Sequence, residues 1–150
     1  MAYVLLLIAL WVMTFPNVRA QTTSITNLQS PTNASTRNLV TVTVAVTYDR
    51  ASSGDYLGVL IVDETDVAPA TGTAISSKNT CIINSGLFIN SAMCFVVLTS
   101  TSGSDIIRFN LRFSSVKTYK FDAYVVLQDS SAKTISGSES HREFSINVMS

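Results

Sequence analysis

Charged residues are scarce in this chain of 150 amino acids, and neither sign predominates. Ten Lys and Arg residues balance ten Asp and Glu residues, and there is a single His. A nucleic-acid-binding surface requires clustered Lys and Arg, so the composition argues against a nucleic-acid partner. The polar residues are mainly Ser, Thr and Asn, a composition that is common in proteins working outside the cell.

The sequence also lacks the short motifs that accompany catalysis or cofactor binding. It contains no Gly-x-Ser-x-Gly, Cys-x-x-Cys, His-x-x-x-His or glycine-rich phosphate loop. Catalysis needs a nucleophile beside a base, or two carboxylates in a cleft. The lone His141 lies between Glu139 and Glu143, where we expect a solvated side chain on the outward face of the last strand. We therefore predict that the protein is not an enzyme and needs no cofactor, with a secreted hydrolase as the least favoured hypothesis.

The chain has only one long apolar run, residues 3–15. Pro16 follows it, and residues 18–20 (Val-Arg-Ala) supply the small side chains that signal peptidase recognises. We expect residues 1–20 to be a signal peptide cleaved before Gln21, although no Lys or Arg precedes the run. A retained membrane anchor is the alternative, but the run is shorter than the roughly 20 residues of a spanning helix.

Cleavage before Gln21 would leave a single mature domain, residues 21–150. Loss of Arg19 would reduce the basic residues to nine against ten acidic ones, a net charge of −1. We predict a secreted or cell-surface protein that meets the membrane only during export. Asn33-Ala34-Ser35 matches the N-glycosylation acceptor motif, so Asn33 is a candidate glycosylation site.

Cysteine is limited to Cys81 and Cys94. An even count in an exported chain predicts one disulfide, which would close a loop of roughly 14 residues and contribute on the order of 3 kcal/mol. Two buried free thiols are the alternative. A metal site is less favoured, because two Cys and one distant His cannot complete a tetrahedral set.

One acidic cluster follows the second strong apolar segment of the mature chain. Asp63, Glu64 and Asp66 offer oxygens of the type that calcium uses, but their spacing matches no EF-hand loop. We therefore favour a solvated loop over a calcium site.

Residues 39–49 show the clearest structural pattern in the chain. Apolar side chains recur at every second position: Val40, Val42, Val44, Val46 and Tyr48. A period of two carried by β-branched residues is typical of a strand with one buried face. Residues 105–113 alternate in the same way, and this segment is the best partner for the Val row. Its expected inward side chains are Ile107, Phe109, Leu111 and Phe113.

The C-terminal part of the chain continues with two more strands. Residues 119–128 form the first, and its expected inward side chains are Tyr119, Phe121, Ala123, Val125 and Leu127. The last strand runs through Phe144, Ile146 and Val148, and a β-bulge near Gly137 would bring Ile135 into its register. No segment of residues 21–150 shows a helical period over ten residues.

Seven or eight short strands separated by turn signals predict an all-β, two-sheet antiparallel β-sandwich. The order of patterns resembles an immunoglobulin-like or fibronectin-III-like extracellular domain. Residues 40–48 resemble strand B, residues 107–113 strand E and residues 118–123 the start of strand F, where Tyr119 resembles the tyrosine of the E–F corner. The B and F segments lack Cys and the C segment lacks Trp, so the resemblance implies a looser relative without the inter-sheet disulfide.

Residues 56–62 are apolar at both parities, which predicts a strand covered on both sides. In a sandwich of this order, the strands like C and F are neighbours in one sheet. If Tyr119 and Phe121 face the core, side chains of the opposite parity form an outward apolar patch, which is typical of a partner surface. The expected partner-binding residues are Leu57, Val59, Ile61, Tyr124 and Val126. The alternative is that residues 63–92 fold over this face.

The favoured function is therefore a non-catalytic interaction or adhesion module. It would bind a protein partner, or itself, through an apolar sheet face. The alternative is a carbohydrate-binding or cell-envelope structural module that uses the polar loops.

Overall fold

A computed structural model describes residues 20–64, 71–82 and 91–150. Within these ranges the chain forms β-strands and no helix, so none of the described residues forms a helix suited to crossing a membrane. The strands are β1 (Thr22–Gln29), β2 (Asn33–Ser35), β3 (Val40–Asp49), β4 (Tyr56–Asp63), β5 (Thr71–Ser76), β6 (Ser91–Val97), β7 (Gly103–Arg112), β8 (Thr118–Gln128) and β9 (Ser140–Met149). Residues 1–19 lie outside the described ranges, so signal-peptide cleavage stays a prediction.

The strands form two sheets. The four-stranded sheet has the order β1-β3-β7-β5, and the five-stranded sheet has the order β2-β9-β8-β4-β6. Neighbouring strands are antiparallel except β2 and β9, which are parallel. The predicted all-β sandwich is confirmed. The sheet orders match the A-B-E-D and G-F-C arrangements of immunoglobulin-like sandwiches. One difference concerns β6, which lies beside β4 at the edge of the five-stranded sheet but comes after β5 in the chain.

The inner face of the four-stranded sheet is built by β3 and β7, as their alternation predicts. The two strands pair in the register Val44 with Ile107 and Val42 with Phe109, and all four side chains are fully buried. Their outward positions carry mainly Thr, Ser, Asn and Arg, together with Ala45, Asp49 and Ile106. Each strand thus presents one apolar face to the core, the arrangement expected of an antiparallel sheet solvated on its other side.

The start of β8 packs in the way expected of an E–F corner. Tyr119 is fully buried, and its hydroxyl donates a hydrogen bond to the backbone carbonyl of Ser115 at 3.4 Å. Its ring centroid lies 4.7 Å from that of Phe113, and the Lys117 ammonium sits 4.2 Å from the Tyr119 centroid. These contacts fix the chain as it passes from one sheet to the other.

The predicted β-bulge in the last strand is wrong. Gly137 lies in the turn before β9 with φ of +79°, and Ile135 precedes the strand, donating its backbone N–H to Leu127 at 2.9 Å. Ile135 is at an odd position and the inward residues of β9 are at even ones, but the turn separates them. No extra residue is therefore needed within β9. The register shift is found instead in β1, between Ile25 and Asn27, where it interrupts an edge strand.

Candidate interaction surface

β4 is buried on both sides, as predicted, but its two faces are the reverse of the expected ones. Leu57, Val59 and Ile61 belong to the main core and are at most 1% exposed. The prediction that these three side chains face outward is therefore wrong. The physical reason is that β4 is apolar at both parities, so the sequence alone could not fix which set lies inside.

The outward side of β4 forms a second apolar group, which we call the outer cluster. It lies on the face of the five-stranded sheet that points away from the four-stranded one. Its buried members are Leu60, Met93, Phe95 and Val126, with Tyr56 and Val62 packed against them. Leu60 pairs with Met93 on β6 and with Tyr124 on β8, so the cluster spans three strands. Val126 and Tyr124 face outward as predicted, and their role in partner binding stays a prediction.

Gly58 allows the ring of Phe95 to lie against the backbone of β4. A Cβ atom at position 58 would approach Phe95 Cε1 to 2.5 Å, closer than carbon atoms pack. Phe95 is opposite Gly58 on β6, and Val126 is opposite it on β8. The missing side chain therefore creates the space in which the aromatic ring and the outer cluster pack.

An open groove of about 460 Å³ runs along the outer cluster. We call it the outer groove. Its lining residues are Leu60, Val62, Phe95, Tyr124, Val126, Gln128, Thr134 and Glu139. Tyr124 is 38% exposed, so the groove presents an aromatic ring to solvent. The groove combines an apolar floor with polar residues at its border, which is the arrangement of interface cores and rims.

The alternative hypothesis, in which residues 63–92 cover this face of the sheet, is tested by the structure only in part. Residues 71–76 form β5 of the four-stranded sheet, and Ser91 and Ala92 begin β6. They are therefore parts of the sandwich itself. Residues 65–70 and 83–90 lie outside the described ranges, so a covering role for them stays a prediction.

Three carboxylates meet on the same outer face, beside Tyr124. The side-chain oxygens of Glu64, Asp122 and Glu143 lie within 4.8 Å of one another, and we call these residues the acidic group. Asp122 is 3% exposed and pairs across strands with Glu143. Lys120 is the one Lys or Arg at an outward position of β4, β6, β8 or β9. This end of the face is therefore predominantly acidic.

His141 lies outward, as predicted, but it is not simply solvated. Its Nδ1 lies 3.1 Å from Asp122 Oδ2 and 3.2 Å from Oδ1, although 59% of its side chain is exposed. The ring also stacks on Tyr124 with centroids 5.5 Å apart. The expected outward and solvated position is confirmed. The contact with Asp122 was not predicted, and it arises because the β8–β9 register places Tyr124 opposite His141 and brings Asp122 within reach.

The acidic group acts directly on the groove through Tyr124. The charge of Asp122 is the main reason that the pKa of the Tyr124 phenol is raised above 10.0, and burial, a hydrogen bond to Asp122 and the charges of Glu64 and Glu143 add to the effect. A tyrosine phenol is neutral at physiological pH even without this shift, so the shift shows how close the acidic group lies to the groove.

The acidic group is the one cluster of possible metal ligands found among the described residues. Carboxylates at this spacing are the ligands of hard cations such as Ca²⁺, but Asp122 is already engaged by His141, and clustering alone assigns no metal. Within the described ranges, His141 has no Ser, Thr or Cys side chain as a hydrogen-bond partner.

The predicted disulfide is confirmed and lies on the main-core side of β6. Cys81 and Cys94 are bonded, with an S–S distance of 2.09 Å. Beside it, the backbone N–H of Ile82 donates to the Phe95 carbonyl at 2.7 Å. The segment that contains Cys81 is thereby fastened along β6, the edge strand of the five-stranded sheet, and covers part of an edge that would otherwise be free to pair.

Asn33, the candidate glycosylation site, lies in the short edge strand β2 and is exposed. Its side-chain oxygen accepts a hydrogen bond from Asn147 Nδ2 at 3.5 Å. The exposed position is compatible with a glycan, and glycosylation of Asn33 stays a prediction.

The outer face of the four-stranded sheet has a different chemistry, and we call it the basic face. Arg108 and Arg112 project from β7, and no described residue forms an ion pair with either guanidinium. Ile75 and Ile106 are 56% and 39% exposed. Asp49 is the one carboxylate at an outward position of these strands, and it lies at the end of β3, 3.7 Å from Arg50.

A second, more polar hollow lies at one end of the basic face. Its volume is about 340 Å³, and it is lined by Thr22, Thr23, Ser24, Thr47, Tyr48, Asp49, Ser102 and Gly103. The Tyr48 hydroxyl shares a hydrogen bond with Ser100 Oγ at 2.8 Å. Hydroxyl groups, one carboxylate and one aromatic ring thus meet at this point.

Comparison with known proteins finds structural similarity but no assigned family. No protein-family model matches the chain, and no curated protein matches it. One similar solved structure is AggA, the major subunit of aggregative adherence fimbriae type I from Escherichia coli, at 8% identity, covering 87% of this chain and 97% of that chain with a TM-score of 0.48.

Two cohesin modules are also similar. One, from a Clostridium perfringens family 33 glycoside hydrolase, has 9% identity, 87% and 98% coverage and a TM-score of 0.40. The other, a non-cellulosomal cohesin from Archaeoglobus fulgidus, has 6% identity, 88% and 93% coverage and a TM-score of 0.36. At these values the comparisons concern the β-sandwich alone and assign no function to this chain.

Proposed function

We propose that this protein is a non-catalytic interaction module, secreted or held at the cell surface, that binds a protein partner or another copy of itself through the outer groove. The observation that carries the proposal is the apolar groove of about 460 Å³ on the outer face of the five-stranded sheet. The groove lies on the side of β4 opposite to the apolar patch that the sequence predicted.

The fold itself gives a reason to regard the outer cluster as functional. The main core already lies between the two sheets and buries one face of every long strand. An antiparallel sheet needs only that one face covered and can present polar side chains on the other, as the four-stranded sheet does except at Ile75 and Ile106. The five-stranded sheet instead keeps Leu60, Phe95 and Val126 on its outer side. They are at most 9% exposed and form the floor of a groove in which the ring of Tyr124 is accessible, and an apolar groove of this kind is typical of a binding site.

The polar border of the groove favours a specific contact over a purely hydrophobic one. Gln128, Thr134 and Glu139 line it beside the apolar floor, and the acidic group adjoins it at Tyr124. Polar and charged groups at an interface rim select the partner and its orientation more than they add affinity. We therefore expect a partner with apolar side chains and a basic border.

The direct test is to select ligands for the protein and map where they bind. A peptide library displayed on phage would be panned against the purified protein, and selected peptides would be titrated by NMR. We expect the largest chemical-shift changes at Leu60, Tyr124 and Val126. The double variant Val62→Asp/Tyr124→Ser should weaken binding by roughly tenfold or more, since it places a charge in the apolar floor and removes the aromatic ring.

The matched control is Val116→Asp, which makes the same change from apolar to acidic at a side chain that is 60% exposed and lies in the β7–β8 turn, away from the groove. It should bind the selected peptides like the unmodified protein. Peptides that map to the basic face or the loops, or that bind the groove variant at full strength, would contradict the proposal.

A second candidate function is carbohydrate binding, and one observation favours it. The hollow of about 340 Å³ beside Tyr48 is rich in hydroxyls and includes Asp49, which together offer donors, acceptors and a ring face to a sugar. Screening on a glycan array would test it, with Tyr48→Ala as the variant expected to lose binding. An array without signal would set this function aside.

A further inference from the structure

We propose that the partner of the outer groove is a second copy of this chain, which docks with its basic face, so that copies stack face to back. This inference rests on the proposed function, since it assigns the occupant of the same groove. It is carried by the complementary charge and apolar content of the two outer faces of one molecule.

The charges of the two faces are opposite. The groove side carries the acidic group and Glu139, with Lys120 as its one outward basic residue in the strands. The basic face carries Arg108 and Arg112, both exposed and without an ion pair among the described residues. Unpaired guanidiniums suit bidentate contacts with carboxylates.

The spacing of the charges also agrees. Arg108 and Arg112 are four residues apart in β7, where four residues of extended chain span about 13 Å. Glu143 lies in β9, four residues after Glu139, which immediately precedes that strand. Two guanidiniums on one copy can therefore reach two carboxylates on the next copy without distortion of either strand.

Apolar side chains lie next to the charges on both faces. Ile75 pairs with Arg108 across β5 and β7, and Ile106 lies two residues before Arg108 on the same face. Both isoleucines are more than one-third exposed. In the stacked arrangement they would enter the outer groove beside Tyr124, and their burial would add the hydrophobic contribution that charges alone do not give.

The size of the faces sets the strength of the contact. Four strands about 4.8 Å apart and about eight residues long cover on the order of 500 Å², so stacking would bury on the order of 1,000 Å² in total. That area lies at the lower limit for a specific interface. We therefore expect weak, concentration-dependent association, in which different surfaces meet and the assembly can grow beyond a dimer.

The experiment is sedimentation velocity on the purified protein over a concentration series, at about 0.1 M and about 1 M salt. Screening length falls from about 10 Å to about 3 Å between these conditions, so association should be clearly weaker at high salt. The variant Arg108→Glu/Arg112→Glu should weaken self-association roughly tenfold or more, because it sets like charges against each other. Val116→Asp, changed outside both faces, should associate normally.

Mixing two variants gives the sharpest readout. Arg108→Glu/Arg112→Glu retains an intact groove, and Val62→Asp/Tyr124→Ser retains an intact basic face. Each alone should stay monomeric, whereas the mixture should form a one-to-one dimer that does not grow, because the two remaining surfaces repel each other. Circular dichroism of each variant verifies that the fold is retained.

Two outcomes would overturn the inference. The first is a protein that remains monomeric at every concentration and salt level. The second is an assembly that survives the Arg108→Glu/Arg112→Glu change. If the selected peptides still map to the groove in either case, the occupant is a different protein and the proposed function stands. If neither peptides nor copies use the groove, both proposals fail.

Discussion

The outer faces of the two sheets show how differently one sandwich can treat its two surfaces. The four-stranded sheet presents mainly Thr, Ser, Asn and Arg at the outward positions of β3 and β7, with Ala45 and Ile106 as the apolar exceptions. The five-stranded sheet carries the outer cluster and the acidic group on the corresponding side. One core between the sheets is enough for the fold, and the second apolar cluster is therefore the basis on which we propose a binding surface.

The largest effect should come from comparing the two faces of β4 by the same substitution. Leu57→Ala removes a side chain that is 1% exposed in the main core, and Leu60→Ala removes one that is 3% exposed in the outer cluster. We expect Leu57→Ala to lower the free energy of unfolding by about 3–5 kcal/mol and Leu60→Ala by about 2 kcal/mol. The smaller cluster can relax around the cavity, whereas the main core is held on all sides.

Urea unfolding of both variants would measure the difference, provided that the slope of the transition is unchanged. The same variants should differ in the opposite sense in binding, with Leu60→Ala weakening groove ligands and Leu57→Ala leaving their affinity nearly intact at temperatures where it is folded. Equal losses of stability together with equal binding would remove the distinction between a structural face and a binding face.

The disulfide provides the next largest effect. Replacing Cys81 and Cys94 together by Ser should lower the free energy of unfolding by about 3 kcal/mol, because the loop closure that constrains the unfolded chain is lost. Cys94 is fully buried in the main core and Cys81 packs against it, so two polar hydroxyls placed there should add to the loss. Thermal and urea unfolding of the variant would measure the loss, and a loss well below 1 kcal/mol would show that the bridge adds little to the edge beside β6.

Two glycines offer a smaller and more local comparison of the faces. An added Cβ at Gly58 would meet the buried ring of Phe95 at 2.5 Å, and one at Gly103 would meet the hydroxyl of Tyr48 at 2.8 Å. Gly58→Ala should cost about 1–3 kcal/mol, because the ring is enclosed by the outer cluster. Gly103→Ala should cost less, because Tyr48 is partly exposed and its hydroxyl can move away.

Unfolding measurements on the two glycine variants give the comparison directly. A cost at Gly103 equal to that at Gly58 would mean that Tyr48 is held as firmly as Phe95. The two faces would then not differ in rigidity.

The buried face of a strand can be predicted from the sequence where apolar and polar residues alternate. In β3 and β7 the alternation of Val, Ile or Phe with Thr, Asn or Arg fixed both the strand and the buried face, and the structure agrees. Tyr119 was placed by its position before an alternating strand. β4 could not be oriented, because Leu57 and Leu60 are equally apolar and the choice between them depends on pairing with β6 and β8.

The candidate site was predictable only in part, for the same reason. Tyr124 and Val126 follow from the parity of β8. The partners of Asp122 cannot be predicted in this way, because Glu143 and His141 come from β9 and Glu64 follows β4. Only the strand register brings these residues together, and register depends on turns and on packing of the whole sheet. Outward parity of Asp122 and Glu143 was the one available signal.

The smallest expected effect concerns Tyr124 and tests whether the acidic group acts on the groove. Because the folded-state pKa of the phenol is raised above 10.0, mainly by the charge of Asp122, the protonated phenol is favoured by folding. Its contribution to stability is complete below the unfolded pKa and is lost as pH rises through the folded value. Glu64, Glu143 and His141 are the other ionisable groups near the ring.

Replacing Asp122 with Asn should lower the Tyr124 pKa towards 10.0, its ordinary value, because the largest cause of the shift is removed. An alkaline titration followed by NMR of the tyrosine ring carbons, with Tyr124→Phe to assign the resonance, would measure the change. At neutral pH the phenol stays protonated in both proteins, so any change in binding there reflects lost charge at the groove border rather than titration of Tyr124. A Tyr124 pKa that does not respond to Asp122→Asn would separate the acidic group from the outer groove, and the two would then have to be treated as unrelated features of one face.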